Sequence, residues 1–267
     1  MKIQVDDIQP KQAALTVIDN EIYLINSLRR IMLSELPKLA IEHVIIYDNT
    51  TALFDEIISH RLGLIPIATD LSLLNFRDEC VCNGEGCPSC TVRYTLSKEG
   101  EGMVHSGDLQ PNEKSWRIKE GHVPIVELFD DQRLILEVEA VLGRGRDHAK
   151  WQPIIAPGYR FNPTIRFDPK QKEDVESFVK ELPEGLVTMK KDTLELRDIK
   201  DLAVFESYFQ KEKIDFIAIE LDDNNIQFHF QTDGSLDAKD ALTASIQIFA
   251  DKLDEFEKKL KKLKKIK

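Results

Sequence analysis

The stretch DAKDALTASIQIFADKLDEFEKKLKKLKKIK, residues 237–267, sets Leu242, Ile246, Phe249, Leu253, Phe256, Leu260 and Leu263 at steps of 4, 3, 4, 3, 4 and 3. That spacing is the apolar seam of a helix that packs against another helix. At ~1.5 Å per residue the helix reaches ~45 Å, longer than a compact domain easily covers. Burying such side chains is worth ~1.5–3 kcal/mol each, so an uncovered seam forgoes roughly 10–20 kcal/mol of gross stabilisation. A helix over 26–36 supplies part of the cover from within the chain. The rest has to come from a partner, and periodicity alone does not separate a second copy from a different chain.

The elements upstream place this helix in an α+β chain. Ile3, Val5 and Ile8, then Ala14 to Ile18, read as two strands around a turn at Pro10. Asp19 or Asn20 can cap a helix whose apolar positions include Tyr23, Leu24, Leu28, Ile31 and Leu36, and Pro37 stops it. Residues 41–47 are β-branched and strand-like, and 52–64 read as a second helix ended by Gly63 and Pro66. Strands follow at 91–97, 123–129 and 134–142, with polar, turn-rich chain over 99–121. From Tyr159 the pattern becomes strand 160–167, helix 171–181, strands 186–190 and 193–197, helix 199–211 and strand 215–221. That β-α-β-β-α-β order is ferredoxin-like, and Pro163 confines its first strand to an edge or a bulge. One more strand at 226–231 and a turn at Asp233-Gly234 lead into the final helix.

The net charge of −11 argues against a surface built mainly to grip nucleic acid, although seven of the last ten residues are lysine. Those lysines also suit a helix C-terminus, where they complement the dipole and keep the polar face solvated. No apolar run approaches the ~20 residues of a membrane helix. The acidic turn of the sequence at Asp6-Asp7 is unlike a signal peptide. The expected location is cytoplasmic, with no membrane partner.

All four cysteines fall in Cys80-Val81-Cys82-Asn83-Gly84-Glu85-Gly86-Cys87-Pro88-Ser89-Cys90. Clustered thiols in a reducing compartment favour metal over disulfide. Four thiolates close a tetrahedral zinc shell, a structural site with no open position for water. An iron–sulfur cluster or an empty degenerate site is the alternative. Glu56 and His60 lie four apart on one helix face, but no third ligand or H-E-x-x-H motif accompanies them. They read as pairing groups of the fold or an interface, and a metal-dependent hydrolase there is a remote reading. The loop Gly143-Arg144-Gly145-Arg146-Asp147-His148-Ala149-Lys150-Trp151-Gln152-Pro153 lacks the third glycine of a dinucleotide fingerprint and the Lys-Ser/Thr of a P-loop. Its basic residues and tryptophan suit docking on a large protein partner, with no contribution to folding.

Several of these segments carry a resemblance. Asn26-Ser27-Leu28-Arg29-Arg30 followed by Pro37, Leu53 to Pro66, the Gly143–Pro153 loop and Gln231 to Leu236 resemble, in order, signatures of the alpha-type subunits of RNA polymerase. Among these, the archaeal D subunits and their eukaryotic counterparts are the most similar, and bacterial alpha is a relative. The resemblance implies a non-catalytic assembly subunit that heterodimerises with the small alpha-like subunit L, the pair forming a platform for the largest and second-largest subunits. Small zinc-binding subunits bind nearby, and DNA is met only through the complex.

It further implies a discontinuous dimerisation domain (1–45 with 226–267), an inserted β-rich domain (46–155) holding the metal loop 80–90, and a ferredoxin-like module (156–225). Some archaeal members carry an iron–sulfur cluster in that module, but here it has no cysteine. The interface role falls on Asn26, Leu28, Arg29, Arg30, His60, Arg61, Arg144, Arg146, His148, Lys150 and Trp151, and on the seam from Leu242 to Leu260. The runner-up function is a zinc-stabilised nucleic-acid-binding module using the basic loop and tail.

Overall fold

The computed structural model describes residues 1–19, 21–197, 201–212 and 216–264. The expected cap at Asn20, the first two residues of the helix expected over 199–211, the first residue of the strand at 215–221, and residues 265–267 lie outside them. In chain order the elements are β1 (Lys2–Gln9), β2 (Gln12–Ile18), α1 (Ile22–Ser34), β3 (Pro37–Asn49), α2 (Asp55–Gly63) and β4 (Thr91–Glu99). Then come β5 (Gly102–His105), β6 (Gln110–Pro111), β7 (Pro124–Leu128), β8 (Arg133–Arg144), β9 (Ile154–Phe167) and α3 (Lys172–Glu181). Last are β10 (Val187–Met189), β11 (Thr193–Leu196), α4 (Leu202–Glu212), β12 (Ile217–Thr232) and α5 (Ala238–Lys264).

The chain divides into two compact units. The first comprises Met1–Asp6, Ala14–Ile25 and Tyr159–Phe228. Its strands order as β1-β2-β12-β9-β11-β10. Ile165 and Phe167 of β9 share a core with Val175 and Phe178 of α3, Leu194 of β11, Phe205 of α4 and Ile217 of β12. Val175 and Phe178 are three apart, so one face of α3 points at the sheet. The Phe178 and Phe205 rings meet edge to face at 5.8 Å, a geometry the ring quadrupoles favour.

Two local expectations are corrected in this unit. β9 is an interior strand, between β12 and β11. Pro163 is tolerated because the β11 ladder spans only Ile165 and Arg166 of β9, so the missing N–H costs no bond on that side. The strands expected at 215–221 and 226–231 are one continuous strand, β12. The polar run between them is held extended: Asn224 accepts from the Asp19 N–H at 2.9 Å, and Asn225 accepts from the Asn162 amide at 2.6 Å.

The second unit comprises Asp7–Ala13, Asn26–Gly158 and His229–Lys267. Its main sheet orders as β3-β8-β4-β6, with β5 and β7 forming a separate pair. Alternation drives the central strand: Leu134, Leu136, Val138 and Ala140 of β8 point inward and are buried. Val138 faces Val44 of β3 on one side and Tyr94 of β4 on the other. The Tyr94 hydroxyl is fully buried and donates to the Trp116 carbonyl at 2.8 Å. Helix α2 starts later than expected, at Asp55, and lays Ile58 and Leu62, four apart, into the same core.

Helix α5 enters through the turn at 233–236 and packs by small side chains. Ala238, Ala241 and Ser245 are fully buried, which lets the helix approach closely. Every residue from Ala250 to Leu263 is exposed.

Candidate metal centre and partner-facing surfaces

The loop between α2 and β4 turns back on itself through positive φ at Asn83, Gly84 and Gly86. Backbone N–H groups of Asn83, Glu85 and Cys90 close its turns onto the carbonyls of Cys80, Cys82 and Cys87. The result brings four sulfurs together: Cys80–Cys87 at 3.5 Å, Cys82–Cys90 at 3.6 Å and Cys87–Cys90 at 3.9 Å. All four lie within 4.8 Å of one another. A tetrahedral ion with metal–sulfur bonds of about 2.3 Å needs sulfur edges of about 3.8 Å, so the donor set and spacing fit one metal ion. None of the cysteines is in a disulfide.

The thiols are electrically unequal. N–H groups of Gly86 and Cys87 aim at Cys82 and draw it down to about 6. The Cys82 N–H favours the Cys80 thiolate, but burial and the adjoining thiols outweigh it and push Cys80 up to about 12.

An arginine the sequence reading passed over braces this loop. Arg77 donates to the Gly84 carbonyl at 2.9 Å and pairs with Glu139 of β8 at 3.2 Å. Burial works against the Glu139 charge, yet Arg93, at 2.8 Å, and Arg77 hold its carboxyl below the ordinary glutamate value. The only signal for Arg77 was its place just ahead of the cysteines.

A second hub was also missed. Lys38 is 4% exposed and pairs with Asp233 at 2.5 Å. Asp233 also accepts from Ser235 N–H and Oγ and donates its own N–H to the Pro153 carbonyl. The turn that launches α5 is thereby fixed to β3 and to the end of the 143–153 loop. A lone cation in the apolar run Leu36 to Ile41 was the available clue, since buried lysines are almost always paired.

The 143–153 loop does more than expected. The indole of Trp151 lies where a Cβ on Gly143 would sit, and Gly145 packs as closely on the Leu33 carbonyl. Trp151 donates to the Val141 carbonyl at 3.2 Å, and Arg144 lies 4.0 Å over the Phe76 ring. Lys150 pairs with Glu42 and donates to the Ile41 carbonyl at 3.0 Å. Arg146 reaches Glu35 at 3.4 Å, and His148 Nδ1 accepts from the Lys150 N–H. The expectation that this loop contributes nothing to folding is therefore corrected: its aromatic and basic side chains are used inside the chain.

The remaining interface candidates sit as follows. Asn26 Oδ1 accepts from Arg29 at 3.0 and 3.1 Å, Leu28 is half-buried and Arg30 is exposed. Arg61 donates to the Ile125 carbonyl at 2.6 Å. Glu56 and His60 are exposed on α2, apart from the cysteines, the only cluster able to hold a metal among the described residues. On α5, Leu242 and Phe249 are half-buried. Ile246 (51% exposed), Leu253, Phe256 (60%), Leu260 and Leu263 are open to solvent. Among the described residues, no helix is long and apolar enough to cross a membrane.

Comparison with known proteins shows the family. A profile of the RNA polymerase Rpb3/RpoA insert domain matches residues 44–156. Over 269 aligned residues the chain is 36% identical to the DNA-directed RNA polymerase subunit Rpo3 of Thermoplasma volcanium, with 94% of this chain and 92% of the relative covered. The subunits of the same name from Methanosphaera stadtmanae (35%; 95% and 96% covered) and Methanothermobacter thermautotrophicus (37%; 86% and 88%) are similar.

Proposed function

The chain belongs to the Rpo3 family of archaeal DNA-directed RNA polymerase subunits, and on that premise we propose that it forms a heterodimer with the small alpha-like subunit L. Family membership makes it a non-catalytic, alpha-like assembly subunit of the transcribing enzyme, whose partners are other polymerase subunits. The pair would be the platform on which the largest and second-largest subunits assemble, with small zinc-binding subunits alongside, in the cytoplasm.

One observation carries this reading. Five of the seven seam positions on α5 are exposed large apolar side chains, aligned over a helix that leaves the body of its unit. Exposed apolar patches of that extent mark interaction sites.

In the same reading, 1–45 with 226–267 act as the dimerisation domain and 46–155 as the inserted domain. Residues 156–225 act as a ferredoxin-like module, supported by the strand order β12-β9-β11-β10 with α3 and α4 between strands. The four cysteines hold one zinc ion, which would tie a loop with little core of its own to β4. The nucleic-acid-binding alternative gains nothing, because Arg144, Arg146 and Lys150 are engaged within the chain.

Purification of the tagged chain from its native cells tests the assembly reading. Subunit L and both large subunits should co-purify; nucleic acid without them would contradict it. Elemental analysis of the same sample, prepared without chelators, should give about one zinc per chain. Iron with visible absorbance would overturn the metal.

A further inference from the structure

The exposed half of α5 is a lever held near one end. The helix runs 27 residues, Ala238–Lys264. Ala238, Ala241 and Ser245 are buried at its start, and from Ala250 to Leu263 every residue is exposed. Small side chains let a helix approach closely but offer few ridges to fix its angle. Further out, Lys252 reaches Glu35 at 3.4 Å with its own side chain half exposed, a contact of little strength. At ~1.5 Å per residue Leu263 lies about 38 Å along the axis from Ala238, so a tilt of about 10° at the start displaces it by about 6 Å. Packed helices stand only about 8–10 Å apart, so such a shift carries the seam out of register with any partner.

The turn before α5 supplies the missing direction. Asp233 uses its two carboxylate oxygens for separate tasks. Oδ1 accepts from the N–H and the Oγ of Ser235, at 2.9 and 2.5 Å, and closes the turn on itself. Oδ2 accepts from Lys38 Nζ at 2.5 Å and ties the turn to β3. The two side chains are 15% and 5% exposed. Lys38 stands opposite Gly143 in the ladder of β3 with β8. The Thr69 N–H on the Ser235 carbonyl, at 2.8 Å, holds the far side of the turn. A buried ion pair adds little net stability, because desolvation of both charges offsets their attraction. What it does supply is a directed bond, where an apolar pair of the same volume would hold the turn with no preferred angle.

We infer that Lys38 and Asp233 are positioning residues for partner binding: their ion pair fixes the angle at which α5 leaves the body of its unit, and so sets where the exposed seam is presented. This rests on the reading of α5 as the pairing helix, and the test separates the two.

Two variants of the full chain distinguish aim from stability. Asp233→Asn keeps Oδ1 for Ser235 and sets an amide NH2 group against the Lys38 ammonium, so it breaks the tie to β3 alone. Lys38→Met with Asp233→Asn also removes the stranded charge, and its thermal transition returns toward the wild-type position. Both bind subunit L about tenfold more weakly than the wild type, the double variant in spite of its recovered transition. In the isolated double variant, hydrogen exchange over 233–241 is faster than in the wild type, while β8 is unchanged. Recovery of both transition and affinity in the double variant assigns the pair to stability alone and overturns the inference. So does wild-type exchange over 233–241 in that variant, whatever its affinity. Ile58→Ala, in the core of the same unit, is the control: it lowers the transition and leaves the affinity unchanged. A loss of affinity there equal to that of Asp233→Asn makes pairing a readout of stability and overturns the inference. If Leu253→Asp binds subunit L as the wild type does, the reading of α5 itself falls.

Discussion

The seam of α5 and the 143–153 loop look alike in sequence, each offering apolar or basic groups with no evident work inside the chain, yet the chain uses them in opposite ways. The loop closes inward: Trp151 fills the space over Gly143, Lys150 reaches β3, and Arg144 stacks on Phe76. The seam stays open, with Phe256 and Leu263 more than half exposed. Residue type therefore does not separate side chains that the chain uses itself from those it leaves exposed. Large apolar area left over after the chain's own packing is the better guide to where a partner surface should be sought.

Three perturbations sharpen this contrast. The largest effect belongs to the cysteine loop, the extreme of inward closure. If the four cysteines hold a metal, chelation, or Cys87→Ser with Cys90→Ser, should remove an apparent binding free energy of about 10 kcal/mol, and the loop over 76–91 should become the first site of protease cleavage. Identical proteolysis with and without chelator would break the account. Next, Trp151→Ala should destabilise the chain by about 3 kcal/mol in denaturant melts, because it empties the space over Gly143 and frees the Val141 carbonyl. A loop that serves only for docking would show no change. The smallest effect is Arg146→Ala. Its pairs with Glu35 and Asp147 are long and half-exposed, so the loss should stay within about 0.5 kcal/mol. A loss as large as that of Trp151→Ala would erase the distinction between the loop's buried and rim side chains.

What was legible in the sequence was local. The heptad steps of α5, the strand alternation of β4 and β8 and the clustering of four cysteines each lie within one short segment, where period or spacing is itself the signal. What escaped were pairings between distant segments. Lys38 and Asp233 are 195 positions apart, and Arg77 and Glu139 are 62 apart. Nothing local announces either bond. The break between the strands expected at 215–221 and 226–231 is absent for the same reason, since Asn224 and Asn225 are held by Asp19 and Asn162. The role of Trp151 was missed because a glycine gives no sign in sequence of what packs against it.

The central claim is that the outer face of α5 is the pairing surface, and light scattering on the chain co-expressed with subunit L tests it most directly. The account predicts a 1:1 heterodimer that is lost in Leu253→Asp with Phe256→Asp. Because both side chains are exposed, the thermal transition of the isolated double variant should stay at the wild-type position. A heterodimer that forms equally well with both aspartates in place would contradict it.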